Sequence, residues 1–300
     1  MRGTKQMDQS FGLALKRLRQ SKNIEAKALA GEHISYPQLL KFEAGKSMIS
    51  VEKLFFLLDS INISVEEYER TRSEIALLHH ENIFFNRQVG QAFWNKNTSK
   101  LEYLLKEAIE KQSKHLENQR YQLNVIDIKA ALHRLNPNYQ ISKNEIQFLV
   151  NYLSGIKEWS FYEAWLFSNT TEIFSDVQAR ALVNQMIYPK HQNIVSKRTQ
   201  QEINLALLNT ISHFIETEHF SPVQGWLNYL ETHISSDLNL YDRAGLEYHS
   251  ALLQFCETPQ NPERLEKVQR CIAAFETLGC FKLADIMKNE VEIYKNKYHI

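Results

Sequence analysis

Residues 11–68 contain a series of short helical segments separated by strong capping and turn residues, and this series restricts the fold most. Phe11, Leu15 and Leu18 recur at i, i+4 and i+7, which predicts an amphipathic helix with one buried face. The basic residues of this segment lie largely on the other faces. A second short helix is expected around residues 25–32, and Ile34 marks the turn that follows it.

A third helix is expected to begin at Tyr36. Ser35 is its candidate N-cap, and Pro37 falls in the first turn, where a missing backbone N–H costs little. Gln38 stands three residues after the cap, the spacing of a capping box. Gly45 supplies the left-handed residue that commonly ends a helix. The order of these elements is a helix, a turn and a second helix.

The outward side of the third helix is polar, as a base-reading helix requires. Leu39 and Phe42 point inward at i and i+3, and glutamine can pair with adenine through two hydrogen bonds. Residues 1–50 hold nine Lys and Arg against four Asp and Glu, although the whole chain has zero formal charge. This local basic excess is suited to phosphate. We therefore predict DNA contacts from Arg17, Arg19, Ser35, Tyr36, Pro37, Gln38, Lys41 and Lys46.

The same segment resembles the helix-turn-helix domain of the XRE/Cro class, and more closely the Rgg/MutR family of Gram-positive transcriptional regulators. The resemblance rests on residues 15–19, 35–45 and 54–58, together with Ile49 and Ser50. It implies binding to double-stranded promoter DNA.

The remainder of the chain favours helices throughout. Ile203, Leu207, Ile211 and Ile215 keep an i, i+4 spacing, and similar apolar stripes occur near residues 101–108 and 123–135. No alternating strand pattern competes, and the few glycines and prolines separate segments of helical length. Pairs of helices at about 40 residues per pair suggest degenerate tetratricopeptide-like repeats. We predict an all-α fold, with a helix-turn-helix domain over residues 1–69 and an α-solenoid over residues 70–300.

The resemblance to Rgg/MutR extends through this second region. Its most specific part is Asn151-Tyr152-Leu153, followed by Trp159, Tyr162, Glu163, Leu166, Phe167 and Asn169; residues 270–279 match the closing helices. The resemblance implies a homodimer whose repeats bind a short secreted signalling peptide after its import. From the residues alone, the aromatic side chains of the motif are expected to pack between helices.

A solenoid has a concave surface suited to an extended ligand, and asparagine can hydrogen-bond both the N–H and the C=O of a peptide backbone. Asn184 and Asn209 are therefore the candidate peptide contacts. Tyr188 follows Asn184 by four residues and is expected on the same helical face, and Lys190 is a further candidate.

Other classes of protein have little support in the sequence. HExxH, Walker-type, GxGxxG and GxSxG motifs are absent, so neither catalysis nor a cofactor is predicted. No apolar run is long enough to span a membrane and no signal peptide is evident, so we expect a cytoplasmic protein. Three cysteines without CxxC spacing are expected to be buried and reduced.

The sequence leaves a second function open. Ala26 stands where many XRE domains have glutamine, and the apolar Leu40 stands where a small polar residue is usual. A helical scaffold for protein–protein interaction, with a degenerate helix-turn-helix as a docking surface, fits these two residues.

Overall fold

The computed structural model describes residues 8–76, 81–189, 195–234, 236 and 239–300. Within these ranges the regular elements are all helical and no strand occurs, which confirms the predicted all-α fold. None of the described helices is both long and apolar enough to cross a bilayer. The chain divides into two compact units between Gln91 and Ala92.

Unit 1 contains five helices and most of a sixth. They are α1 (Ser10–Ser21), α2 (Ala26–Leu29), α3 (Tyr36–Glu43), α4 (Val51–Ser60), α5 (Val65–Ile75) and α6 (Glu81–Trp94), the last of which crosses the division. The expected boundary after residue 69 falls inside α5. This helix packs on α1, and the Tyr68 hydroxyl donates to the carbonyl of Phe11 at 2.9 Å, so the break in contacts comes later in the chain.

The second helix is shorter than the sequence suggested. α2 ends at Leu29, and Ala30 already has an extended backbone with φ −70° and ψ 137°. The N–H of Gly31 donates to the carbonyl of Ile34 at 3.1 Å, which closes the turn before α3. Ile34 is 2% exposed, so the turn is anchored in the core.

The third helix begins at Tyr36 as predicted, because the Ser35 hydroxyl accepts from the N–H of Gln38. The Gln38 side chain does not return the bond to complete a capping box. Gly45 has φ +67°, and its N–H donates to the carbonyl of Phe42 at 2.8 Å. A left-handed glycine therefore ends the helix, also as predicted.

Close approach between α1 and α3 depends on a missing side chain. A Cβ placed on Gly12 would lie 1.7 Å from the carbonyl oxygen of Phe42. The core around this contact is apolar and consists of Ala14, Leu15, Ala26, Leu29, Ile34, Leu39, Phe42, Leu57, Leu58, Ile61, Ile63 and Tyr68. Burial of this set fixes the orientation of α3 in unit 1.

Unit 2 is built from ten further helices within the described ranges. They are α7 (Thr98–Lys114), α8 (Gln119–Leu135), α9 (Lys143–Gly155), α10 (Phe161–Thr170), α11 (Asp176–Ile187), α12 (Lys197–Glu216), α13 (Val223–His233), α14 (Leu240–Glu257), α15 (Pro262–Thr277) and α16 (Phe281–Tyr298), with a 3-10 turn at Thr171–Ile173.

The packing of unit 2 is that of a helical-repeat array. α8, α10, α12 and α14 contact one another in succession, while α9 contacts α8 and α11, and α13 contacts α12 and α14. Serine side chains cap α9, α10, α11 and α12 at their N-termini, and the first three caps are full capping boxes. One apolar core extends from α8 to α16.

The aromatic motif of residues 151–169 is structural. Trp159 and Phe167 meet edge to face at 5.6 Å, as expected for packing between helices. Glu163 caps the backbone of Ser160 at 3.0 Å and accepts from the Tyr152 hydroxyl at 2.9 Å. The motif therefore joins α9 to α10.

A buried carboxyl lies beside the end of this motif. The Asn169 amide donates to Asp127 at 3.2 Å, and burial raises the pKa of Asp127 to about 7. Asn169 thus has a partner in the core of the unit, on α8.

The three cysteines are free thiols, but they do not share one environment. Cys256 is buried, and burial raises the pKa of its thiol to about 12. Cys271 is half-buried, whereas Cys280 precedes α16 and is exposed. The expectation that all three are buried is therefore wrong for Cys280.

Candidate functional sites

The N-terminal end of α3 is exposed and polar. Tyr36 is 43% exposed, Pro37 is exposed and Gln38 is half-buried, while Lys41 is exposed in the last turn of the same helix. The core fixes this orientation because Leu39 and Phe42 are buried, so the helix has the inward and outward sides expected from its sequence. Leu40 is also exposed, at 41%, and adds an apolar contact surface to the outward side.

Gln38 has a partner that the sequence pattern did not suggest. The Lys53 ammonium, from the first turn of α4, donates to Gln38 Oε1 at 3.3 Å. Lys53 is itself positioned by the Ser50 hydroxyl, which accepts from the Lys53 backbone N–H. The two side chains bridge the N-terminal turns of α3 and α4.

Three other predicted DNA contacts lie at the surface of unit 1. Ser35 is exposed, although its hydroxyl caps α3, and Lys46 is exposed directly after the glycine that ends α3. Arg17 lies on α1 and pairs with Glu74 at 3.2 Å, with both side chains more than half exposed. A surface ion pair of this kind is weak, so Arg17 can exchange Glu74 for a phosphate.

Arg19 does not belong with these residues. It is 7% exposed, and its guanidinium donates to both carboxylate oxygens of Glu43, at 2.7 and 2.8 Å. A third bond reaches the carbonyl of Ile24 at 2.5 Å. The hydrogen bonds that Arg19 donates to the Glu43 carboxylate raise the pKa of Arg19. Because its donors are directed inward, we correct the prediction and assign Arg19 to the core.

A polar cleft of about 90 Å³ lies in unit 2, where α8, α10 and α12 meet. Asn209, one of the predicted peptide contacts, lines it and donates to the Ser168 hydroxyl at 2.9 Å. Within the described part of the chain, Asn209 Oδ1 has no hydrogen-bond partner and can accept an N–H from a ligand. The full lining consists of Arg134, Ser168, Thr171, Glu172, Asn209, Ser212, His213 and Glu216.

The charges of the cleft are mixed. Arg134 pairs with Glu172 at 2.8 Å. Burial, reinforced by the nearby Glu172 carboxylate, raises the pKa of Glu216. Ser212 donates to Glu290 of α16 at 3.2 Å, so one wall of the cleft is connected to the last helix. The cleft presents hydrogen-bond donors and acceptors together with both signs of charge.

The remaining predicted peptide contacts lie elsewhere. Asn184 is exposed on α11, a helix that contributes nothing to the cleft. α11 ends at Ile187, so Tyr188 follows the helix instead of extending its face. The Tyr188 ring is 61% exposed and meets Tyr229 of α13 edge to face at 6.1 Å. Lys190 lies outside the described residues.

Sequence reasoning missed most of the cleft lining, and it missed Lys53. Ser168 stands inside the aromatic motif, between Phe167 and Asn169, where it looks like part of the packing. Arg134 and Glu172 are 38 positions apart, and only packing between helices brings them together. The i, i+3 and i, i+4 patterns that identify a helix carry no information about such pairs.

A family model described as the C-terminal domain of the HTH-type transcriptional regulator Rgg matches residues 105–289, more than half of the chain. The chain belongs to this family of transcriptional regulators. The matched segment contains every residue that lines the cleft, whereas the exposed end of α3 lies before it.

Solved structures of similar fold cover both units. The SHP pheromone receptor Rgg2 of Streptococcus dysgalactiae is 24% identical with a TM-score of 0.78, covering 96% of this chain and 99% of that one. A bacterial peptide pheromone/receptor complex is 17% identical with a TM-score of 0.75, covering 95% and 98%. The PrgX/iCF10 complex is 17% identical with a TM-score of 0.77, covering 97% and 98%. At these identities the likeness is one of fold.

The two arginines of α1 should behave oppositely when each is replaced by alanine. Arg19→Ala leaves the Glu43 carboxylate buried without its partner, and we expect the free energy of unfolding to fall by about 3–5 kcal/mol. Arg17→Ala removes only an exposed pair and should change it by no more than about 0.5 kcal/mol. Urea unfolding followed by circular dichroism measures both. Wild-type stability in Arg19→Ala would contradict the structural role of this residue.

Proposed function

We propose that this family member is a peptide-controlled transcriptional regulator that binds double-stranded promoter DNA through unit 1. The observation that carries the DNA half is the exposed polar end of α3, held by a buried core on its other side. Tyr36 and Gln38 present donors and acceptors there, at the end of the helix that contacts base edges in helix-turn-helix proteins. Pro37 is also exposed in this first turn of α3.

The positions around this helix suit phosphate contacts. Lys41 is exposed in the last turn of α3, Lys46 follows the helix, the Ser35 hydroxyl marks its start, and Arg17 lies exposed on α1. Contacts of this kind fix the orientation of a protein on the duplex without reading sequence. Paired half-sites on DNA commonly match a two-fold symmetric protein, so we propose that a homodimer binds. A regulator of this kind would meet promoter DNA and an imported peptide in the cytoplasm.

For the peptide half, we propose that the cleft containing Asn209 anchors the ligand backbone. Two of the similar structures are described as a pheromone receptor and as a peptide pheromone/receptor complex, which supports a peptide as the ligand class here. Asn209 is already oriented by Ser168, so its free carbonyl oxygen needs little ordering before it accepts a peptide N–H. Asn184 and the exposed Tyr188 ring are proposed as a second, separate contact.

DNA binding is tested with duplexes selected from a random pool by the full-length protein. We expect the affinity to fall steeply with salt, and Lys41→Ala to reduce the slope of log K against log salt by about one, because one phosphate contact is lost. Lys106→Ala, an exposed lysine of α7, is the matched control and should leave the slope unchanged. The DNA proposal fails if no duplex is bound saturably, or if the two variants lower the slope equally.

Peptide binding is tested by isothermal titration with fractionated small peptides from the medium of the producing culture. Asn209→Ala removes one hydrogen bond to the ligand, so we expect a loss in affinity of about two- to tenfold. Asn289→Ala, an exposed asparagine on α16, is the matched control. Unchanged affinity in Asn209→Ala would exclude the cleft as the anchor, and no heat from any fraction would count against a peptide ligand.

A further inference from the structure

We propose that Lys53 determines which base Gln38 selects, and that the Gln38–Lys53 pair reads guanine in place of the adenine expected for glutamine alone. This inference rests on the proposed binding of DNA by unit 1. It assigns a specificity role to a residue outside the helix that faces the base edges.

The pair is positioned by the caps of two helices. Gln38 is the third residue of α3 and its backbone N–H is held by Ser35, while Lys53 is the third residue of α4 and its N–H is held by Ser50. Lys53 Nζ lies 3.3 Å from Gln38 Oε1, and both side chains are half-buried. Within the described residues Lys53 has no carboxylate partner, so its donors are not neutralised by an ion pair.

The chemistry of the two groups fixes the orientation of the glutamine amide. An ammonium group has three donors and no acceptor, so only the carbonyl oxygen of Gln38 can face it. The opposite orientation would bring the amide NH2 against the ammonium, donor against donor. Gln38 is therefore held with its Oε1 toward Lys53, and its Nε2 has no hydrogen-bond partner among the residues that the structure describes.

This orientation changes what the glutamine can recognise. Adenine offers an acceptor at N7 and a donor at N6, so a free glutamine pairs with it by donating one bond and accepting another. In the pair, Oε1 already accepts from Lys53. The remaining lone pair of Oε1 lies beside the ammonium, which repels the amino donor of adenine.

Guanine is the complementary base. It presents two acceptors, N7 and O6, to the major groove. The free Nε2 of Gln38 and the remaining N–H groups of Lys53 are donors, and the ammonium charge favours the O6 carbonyl. The pair therefore presents hydrogen-bond donors to the two acceptors of guanine.

The test is selection of bound fragments from a randomised duplex pool by the full-length protein, with relative affinities measured at each position. The position that loses its preference in Gln38→Ala is the one that Gln38 reads. There, wild-type protein should favour guanine over adenine by about tenfold, the scale of one bidentate base contact.

Lys53→Met keeps the length of the side chain but removes its donors, so the preference at that position should reverse to adenine. Lys53→Arg keeps donors and positive charge and should retain guanine. Lys41→Met is the matched control, because loss of a separate lysine should weaken binding to all sequences without changing the base at that position.

The outcomes separate this inference from the proposal on which it rests. If wild-type protein selects no duplex, the DNA-binding proposal itself fails. If it binds DNA but shows adenine or no preference at the Gln38 position, the inference is overturned. The same conclusion follows if Lys53→Met binds with an unchanged preference for guanine. A uniform loss of stability in a variant does not mimic a reversal, because only relative affinities are compared.

Discussion

The buried ion pair between Arg19 and Glu43 is the contact on which the arrangement of unit 1 depends. It joins α1 to the last residue of α3, and the same guanidinium satisfies the carbonyl of Ile24 between α1 and α2. Three consecutive segments therefore share one side chain. A buried guanidinium is costly unless its donors are hydrogen-bonded, and Arg19 has its carboxylate partner only when α3 lies in this orientation.

The packing of α3 on α1 also determines which side chains of α3 face outward. Gly12 lets the backbone of α3 come against α1, and Leu39 and Phe42 are buried by that approach. Tyr36, Gln38 and Lys41 are then left facing outward. The residues that we propose to contact DNA are thus placed by residues that never touch it.

Local signals in the sequence predicted the helices well, because their causes are local. A serine before a helix and a left-handed glycine after it act within a few residues, and both appear where expected around α3. The predictions that were wrong or incomplete concern contacts between residues far apart in the sequence. Arg19 lies four residues after Leu15, beside the buried face of α1, but its charge suggested the surface, and its carboxylate partner 24 positions away accounts for its burial.

The same limit applies to both candidate sites. Lys53 reaches Gln38 across two helices, and the cleft around Asn209 takes residues from α8, α10 and α12. The hydrogen-bonding capacity of asparagine suggested Asn209 and Asn184 equally, but only Asn209 lines the cleft. The packing of helices against one another determines which of the two asparagines lines the cleft. Spacing patterns within one helix do not show how that helix packs against the others.

We propose that a peptide bound in unit 2 controls DNA binding by unit 1. The most direct measurement compares the affinity of the full-length protein for a selected duplex with and without the peptide fraction of the producing culture. We expect the fraction to change this affinity by at least about fivefold, the lower end of usual coupling between sites, and the change to be reduced in Asn209→Ala. Equal affinities with and without a peptide that demonstrably binds would contradict the claim.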